Sequence, residues 1–180
     1  MTATASPARV LRHDSDLGVW EMALRGPDSR LRPFVHGEYC DWFETRTSFG
    51  RRRELPFVAV PVILNFGPNY GVSGPGDPHG PMEYHGSFTA GLYDTYVMVQ
   101  STGPSRAMQI NLTPFGARRV LGVPMHELTN RTIRLEDILG DAARLLVDRL
   151  QDAPGRAARF ALLHAFLLQP IARSGSPPPA

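Results

Sequence analysis

The sequence predicts an α+β domain, a small antiparallel β-barrel or jelly roll packed against a C-terminal helical hairpin. Three observations predict it. Short alternating or β-branched runs, separated by Gly and Pro, fill the chain up to Leu112. The apolar period then changes to that of a helix and stays so to Ile171. Strands first and helices last is the order of a domain whose helices gather on one side of its sheet.

Taken in order, residues 1–16 are polar and read as a flexible arm. Leu17–Arg25 reads as a strand with Trp20, Met22 and Leu24 on one face. Gly26-Pro27-Asp28 is a turn, and Ser29–Val35 a short helical turn limited by Pro33. Gly37–Thr47 reads as a strand. Phe57–Phe66 is β-branched and aromatic, which suits a buried strand, although Pro61 demands a bulge or an edge position. Between Gly67 and Pro81 the density of Gly and Pro predicts a long loop without regular structure, running on to Gly86. Ser87–Leu92 and Thr95–Ser101 read as strands. Gly103-Pro104-Ser105 then turns the chain into Ala107–Leu112, which predicts a hairpin with the strand before it.

Thr113 is a good N-cap and Pro114 sits at the first helical position, where a missing N–H costs nothing. The helix it opens, Phe115–Leu121, stops at Gly122, and Met125–Leu128 makes one more turn. Leu135, Ile138, Leu139, Ala142, Leu145 and Leu146 recur at helical spacing and predict an amphipathic helix to Leu150. Asp152-Ala153-Pro154-Gly155 breaks it, and Arg156–Ile171 returns beside it.

Bulk composition is that of a globular domain, 42% hydrophobic and 20% charged, with a net charge of +2. Every basic residue is arginine, which codon composition explains more simply than phosphate recognition. The cluster Arg51-Arg52-Arg53 reads as a solvated loop. Cys40 stands alone, so neither an intrachain disulfide nor a cysteine-based metal site is available. The N-terminus lacks an apolar signal core, and the longest apolar runs are too short to span a bilayer. A cytoplasmic protein with no membrane contact is expected. The glycosylation patterns at Asn111 and Asn130 carry no weight without a secretory signal.

Nothing in the residues specifies catalysis, so no enzyme, catalytic residue or cofactor is expected. Gly74-Pro75-Gly76 fails as a phosphate loop on spacing, and Gly71–Pro75 misses a nucleophile elbow because Pro75 stands where glycine is needed. His79 and His85, with Glu83 between them, have the wrong spacing for a barrel metal site, and no metal is expected. A binding pocket is better supported. Trp20, Tyr39, Trp42, Phe57, Phe66, Tyr84, Phe88 and Tyr96 are its candidate residues, with Tyr93 beside them; all fall in the strand-rich part. The helix segment Phe160–Leu168 is apolar apart from His164, and a helix apolar all round must be covered all round. Phe160, Leu163, Phe166 and Leu167 are therefore expected to carry a homodimer.

The segment from Leu112 through Leu167 resembles the end of the N-terminal regulatory domain of AraC-type bacterial transcriptional regulators. Leu31-Arg32-Pro33, Arg53-Glu54-Leu55-Pro56 and Phe88-Thr89-Ala90-Gly91-Leu92 fit the same pattern, so the likeness covers roughly residues 17–172. It implies a cupin-like sensor barrel over 17–112, a dimerising helical hairpin over 113–172 and a linker over 173–180. It also implies a small-molecule effector, and DNA contact only through a C-terminal helix-turn-helix domain that these residues lack. Two alternatives stay open. One is a stand-alone cupin-like small-molecule-binding protein or metal-dependent enzyme. The other is a truncated regulator that forms inactive heterodimers with full-length relatives.

Overall fold

The computed structural model describes residues 8–16, 18–45 and 50–173. Among these residues the chain forms two antiparallel sheets, not closed on themselves, followed by helices. The strands up to the first helix are β1 (Arg9–Ser15), β2 (Gly18–Arg25), β3 (Tyr39–Glu44), β4 (Arg52–Glu54), β5 (Val60–Asn65), β6 (Tyr70–Ser73), β7 (Met82–His85), β8 (Phe88–Ala90), β9 (Val97–Ser101) and β10 (Ser105–Leu112). Then come α1 (Pro114–Leu121), α2 (Met125–Leu128), β11 (Thr132–Arg134), α3 (Leu135–Leu139), α4 (Asp141–Gln151) and α5 (Arg156–Arg173). The larger sheet runs β1-β2-β3-β10-β5-β8-β11 and the smaller β4-β9-β6-β7.

The main core lies between the larger sheet and the helices. Alternate residues of β5 (Val60, Val62, Leu64) and β10 (Met108, Ile110, Leu112) are buried there with Leu146 and Leu150 of α4 and Phe160, Leu163 and Leu167 of α5. Each such side chain contributes roughly 1.5–3 kcal/mol. A smaller core between the two sheets holds Ile63, Tyr70, Val72, Phe88, Val97 and Ala107. Helix α1 forms as its caps dictate. The Thr113 hydroxyl accepts from the Gly116 N–H at 3.0 Å, and Gly122 ends the helix in the left-handed region at φ 76°.

Several expectations are corrected. Residues 9–15, expected in a loose arm, form β1 and pair with β2 along its whole length. Residues 1–7 of the arm, Leu17, the end of the predicted strand at 46–47 and residues 174–180 of the linker lie outside the described residues. Inside the predicted loop at 67–86, β6 and β7 pair with each other. Gly71 belongs to that ladder because a Cβ there would stand 3.0 Å from Gln100 Cγ and 3.2 Å from Tyr84 Cε1. β9 and β10 do not form a hairpin. β9 pairs with β4 and β6, while β10 pairs with β3 and β5, so the turn at 102–104 carries the chain from one sheet to the other. Pro61 lies in no bulge; β5 is an inner strand, but at Pro61 its β8 side is open, so the proline stands at a local edge. It pairs with Asn111 of β10, and on its other side the ladder with β8 covers only Val62 and Ile63. The Thr89 hydroxyl donates to its carbonyl at 3.0 Å. The single helix expected to Leu150 is two, broken at Gly140 (φ 59°, ψ −141°), a conformation open essentially to glycine alone.

The four expected dimerisation residues all lie on α5. Phe160, Leu163 and Leu167 are at most 1% exposed within their own chain, and Phe166 is half-buried beside them. Within the chain their cover comes from α4 and the back of the larger sheet.

Candidate functional site

The strand pleat gives the larger sheet two uses. On β2, Glu21, Ala23 and Arg25 face the helices, while Trp20, Met22 and Leu24 face the smaller sheet. On β3 the split is Tyr39 and Asp41 against Cys40, Trp42 and Glu44. On β10 Met108, Ile110 and Leu112 go to the helices, and Ser105, Ala107, Gln109 and Asn111 go to the front.

Strand register orders the front face into rows. Trp20, Glu44 and Ser105 lie side by side; next come Met22, Trp42 and Ala107; then Leu24, Cys40, Gln109, Ile63 and Phe88. Opposite them stand Glu54 beside Val97, Arg52 beside Val99, and Val72. Between the sheets is an open cleft of about 1270 Å³. That volume exceeds a typical small-molecule pocket.

One end of the cleft is tied shut. Arg52 reaches from β4 to Glu44 on β3 at 3.5 Å. The Trp42 indole N–H donates to the Ser105 hydroxyl oxygen at 3.1 Å, and the Tyr70 hydroxyl hydrogen-bonds that same oxygen. Toward the other end run Leu55, Pro56 and Phe57, whose ring meets His36 edge-on at 5.1 Å between centroids. Two polar features lie between. Gln109 Nε2 donates to Asn111 Oδ1 at 2.8 Å, which leaves the second N–H and the carbonyl of Gln109 and the amide NH2 of Asn111 for other partners. Glu54 makes no hydrogen bond or ion pair with a described residue. Solvent reaches its carboxyl through the opening, yet the crowding between the sheets raises its pKa, and Arg52 offsets this only in part.

Four of the eight aromatic candidates line the cleft: Trp20, Trp42, Phe57 and Phe88. Tyr93 joins them, its hydroxyl 2.8 Å from that of Thr132. The other four do not. Tyr39 faces the helices and stacks on Phe160. Phe66 packs against the main core. Tyr84 is half exposed and accepts from Gln100. Tyr96 donates to the Gly76 carbonyl and lies under the Arg53 guanidinium, 4.4 Å away. Sequence reasoning missed Glu44, Arg52, Glu54, Gln109 and Asn111. The signal for the last two was present as the i, i+2 alternation along β10.

The cleft offers little to covalent chemistry. Burial, then the charges of Asp41 and Glu38, push the Cys40 thiol up to about 11, so it stays protonated at neutral pH. His79 is exposed, and His85 is buried against Phe88 with no hydrogen bond to a described residue at either ring nitrogen. Among the described residues no group of three or more His, Cys, Asp or Glu is placed to hold a metal.

Residues 25–134 match the family model described as a domain of unknown function, DUF6597, and they make up more than half of the chain. The chain belongs to the DUF6597 family. No curated protein matches it. The DUF6597 segment begins at the last residue of β2 and ends with β11. It thus carries the smaller sheet and most of the cleft, while Trp20, Met22 and α3 to α5 lie outside it.

Helix α5, outside the segment, is fastened to the larger sheet by ion pairs on the back of β2 and β3, of which those to Asp41 reach the DUF6597 segment itself. Arg159 of α5 holds Asp41 at 2.7 Å, and both side chains are at most 9% exposed. Arg156 pairs with Glu21 and stands 3.8 Å from Asp41. Glu21 is flanked by Trp20 and Met22, and Asp41 by Cys40 and Trp42. The strands that wall the cleft on one face therefore grip α5 on the other. Among the described residues no helix is long and apolar enough to cross a membrane.

Proposed function

We propose that this DUF6597 chain is the effector-sensing and dimerisation region of an AraC-type transcriptional regulator, acting in the cytoplasm. The cleft between the sheets is the effector site. The paired sheets are read as a cupin-like jelly roll, as the resemblance implies. The observation that carries the proposal is the alternation on β2 and β3, which turns a change in cleft width into a displacement of α5 through Asp41 and Glu21. An effector works by preferring one arrangement of sheet and helix, and it shifts the population by its differential affinity. In that family the helical layer then sets how a helix-turn-helix domain meets DNA.

Self-association in this reading falls to the outer side of the helical layer, where Leu145 is 58% exposed, because the inner apolar residues of α5 are already covered.

Both tryptophans of the chain line the cleft, so tryptophan fluorescence reports on it directly. A compound selected by thermal shift is expected to change that fluorescence and to alter amide exchange in α5. Occupancy of the cleft that leaves α5 exchange unchanged overturns the sensor reading. Light scattering across a concentration series tests assembly; a dimer weakened by Leu145→Glu is expected, and a strict monomer at micromolar concentration refutes that part.

A further inference from the structure

We infer that the cleft takes an organic cation, an amine or quaternary ammonium on an apolar or aromatic body. This rests on the reading of the cleft as an effector site and names the chemistry of what enters it.

The argument is one of charge and surface. The walls are largely apolar, with Trp20, Trp42, Phe57 and Phe88 presenting ring faces or edges. The inward-facing charges on the opposed strands are Arg52, Glu44 and Glu54. Arg52 is held by Glu44 at 3.5 Å, so that pair is internally neutral. Arg53, next in sequence, borders the cleft, but it pairs with Met98 in register and its guanidinium lies over the Tyr96 ring at 4.4 Å, away from Glu54's side of β4. Glu38 at the margin is held by Arg9 at 3.2 Å. Glu54 is left without an ion pair to any described residue, two residues along β4 from the clasp that ties one end of the cleft.

Three ligand classes meet this arrangement differently. An anion filling the cleft must draw Arg52 from Glu44 or Arg53 from the Tyr96 ring to find a cation, and its charge lies near that of Glu54. A neutral apolar body fills the volume but removes water from an unpaired carboxylate, which is costly without a replacement partner. A cation gives Glu54 a charge partner in a low-polarity space and gains from the tryptophan faces. The remaining amide N–H groups of Gln109 and Asn111 and the Gln109 carbonyl add a second polar contact for a substituent.

Three probes of matched size decide this: 4-phenylbutylamine, 4-phenylbutanol and 4-phenylbutyrate, titrated calorimetrically into the whole chain at neutral pH. None absorbs at the wavelength that excites tryptophan selectively, so fluorescence of Trp20 and Trp42 locates each binding event in the cleft. The amine is expected to bind at least tenfold more tightly than the alcohol, with the butyrate weakest. Glu54→Gln is expected to bring the amine down to the affinity of the alcohol and to leave the alcohol unchanged, with Glu54→Asp keeping part of the preference. Circular dichroism of both variants controls for folding. An alcohol or butyrate that matches the amine, or an amine preference that survives Glu54→Gln, overturns the ligand class while the cleft reading stands. No binding of any probe up to millimolar concentration, with tryptophan fluorescence unchanged, overturns both.

Discussion

Arg159 sets two nitrogens on one oxygen of Asp41, Nε at 2.8 Å and Nη2 at 2.7 Å, on the back of the strand whose front carries Trp42. Both groups are almost fully buried, so the pair is a tie between sheet and helix that neither partner can leave cheaply. Removing one charge strands the other in a region of low polarity.

Asp41→Ala is therefore expected to destabilise the fold by about 3–5 kcal/mol. The double variant Asp41→Leu with Arg159→Met is expected to lose less than the single one, because it leaves no uncompensated charge. Urea denaturation of the three chains measures both. A single variant within about 0.5 kcal/mol of the parent would show that the pair bears no load.

Gly116→Ala sets two effects of opposite sign against each other. Alanine raises helix propensity by roughly 1 kcal/mol. Its Cβ, however, meets the Phe34 carbonyl oxygen at 1.9 Å, and that oxygen is backbone, which cannot rotate away. The clash wins, with an expected loss of about 2 kcal/mol or more after the propensity gain. A lowered midpoint of thermal unfolding checks this, and a raised one refutes it.

Acid sensitivity follows from two imidazoles. Burial lowers the pKa of His85; Glu83 and Asp137 oppose this and Arg134 reinforces it. Burial likewise lowers that of His164, opposed by Asp28 and reinforced by Arg30 and Arg25. The unfolded chain, with histidine near 6.5, then binds protons more readily than the folded one. Their contribution to stability is fully present above about pH 6.5 and is lost as the pH falls through the lower folded values. Denaturation midpoints between pH 8 and 5 are expected to fall on the acid side, and His85→Leu is expected to flatten the slope.

The chain by itself is expected to bind duplex DNA weakly and without sequence preference. A net charge of +2 neutralises few phosphates. Tight, sequence-selective retardation in a mobility-shift assay near physiological salt would refute this.

Local chemistry made some elements legible in the sequence alone. Thr113, Pro114 and Gly122 fix the start and end of α1 through one hydroxyl, one missing N–H and one left-handed residue. The alternation along β10 and the helical spacing of α5 show that one face of each is buried, because period reports burial. Period does not report the partner. That β10 lies between β3 and β5 rather than beside β9, and that α5 closes on Tyr39, depended on contacts between residues far apart in the chain. The same holds for the cleft. Composition placed the aromatics in the strand-rich half, but an aromatic residue suits core and pocket equally. Only the assembled sheets put Trp20, Trp42, Phe57 and Phe88 around one space with Glu54, and sent Tyr39 and Phe66 to the core behind it.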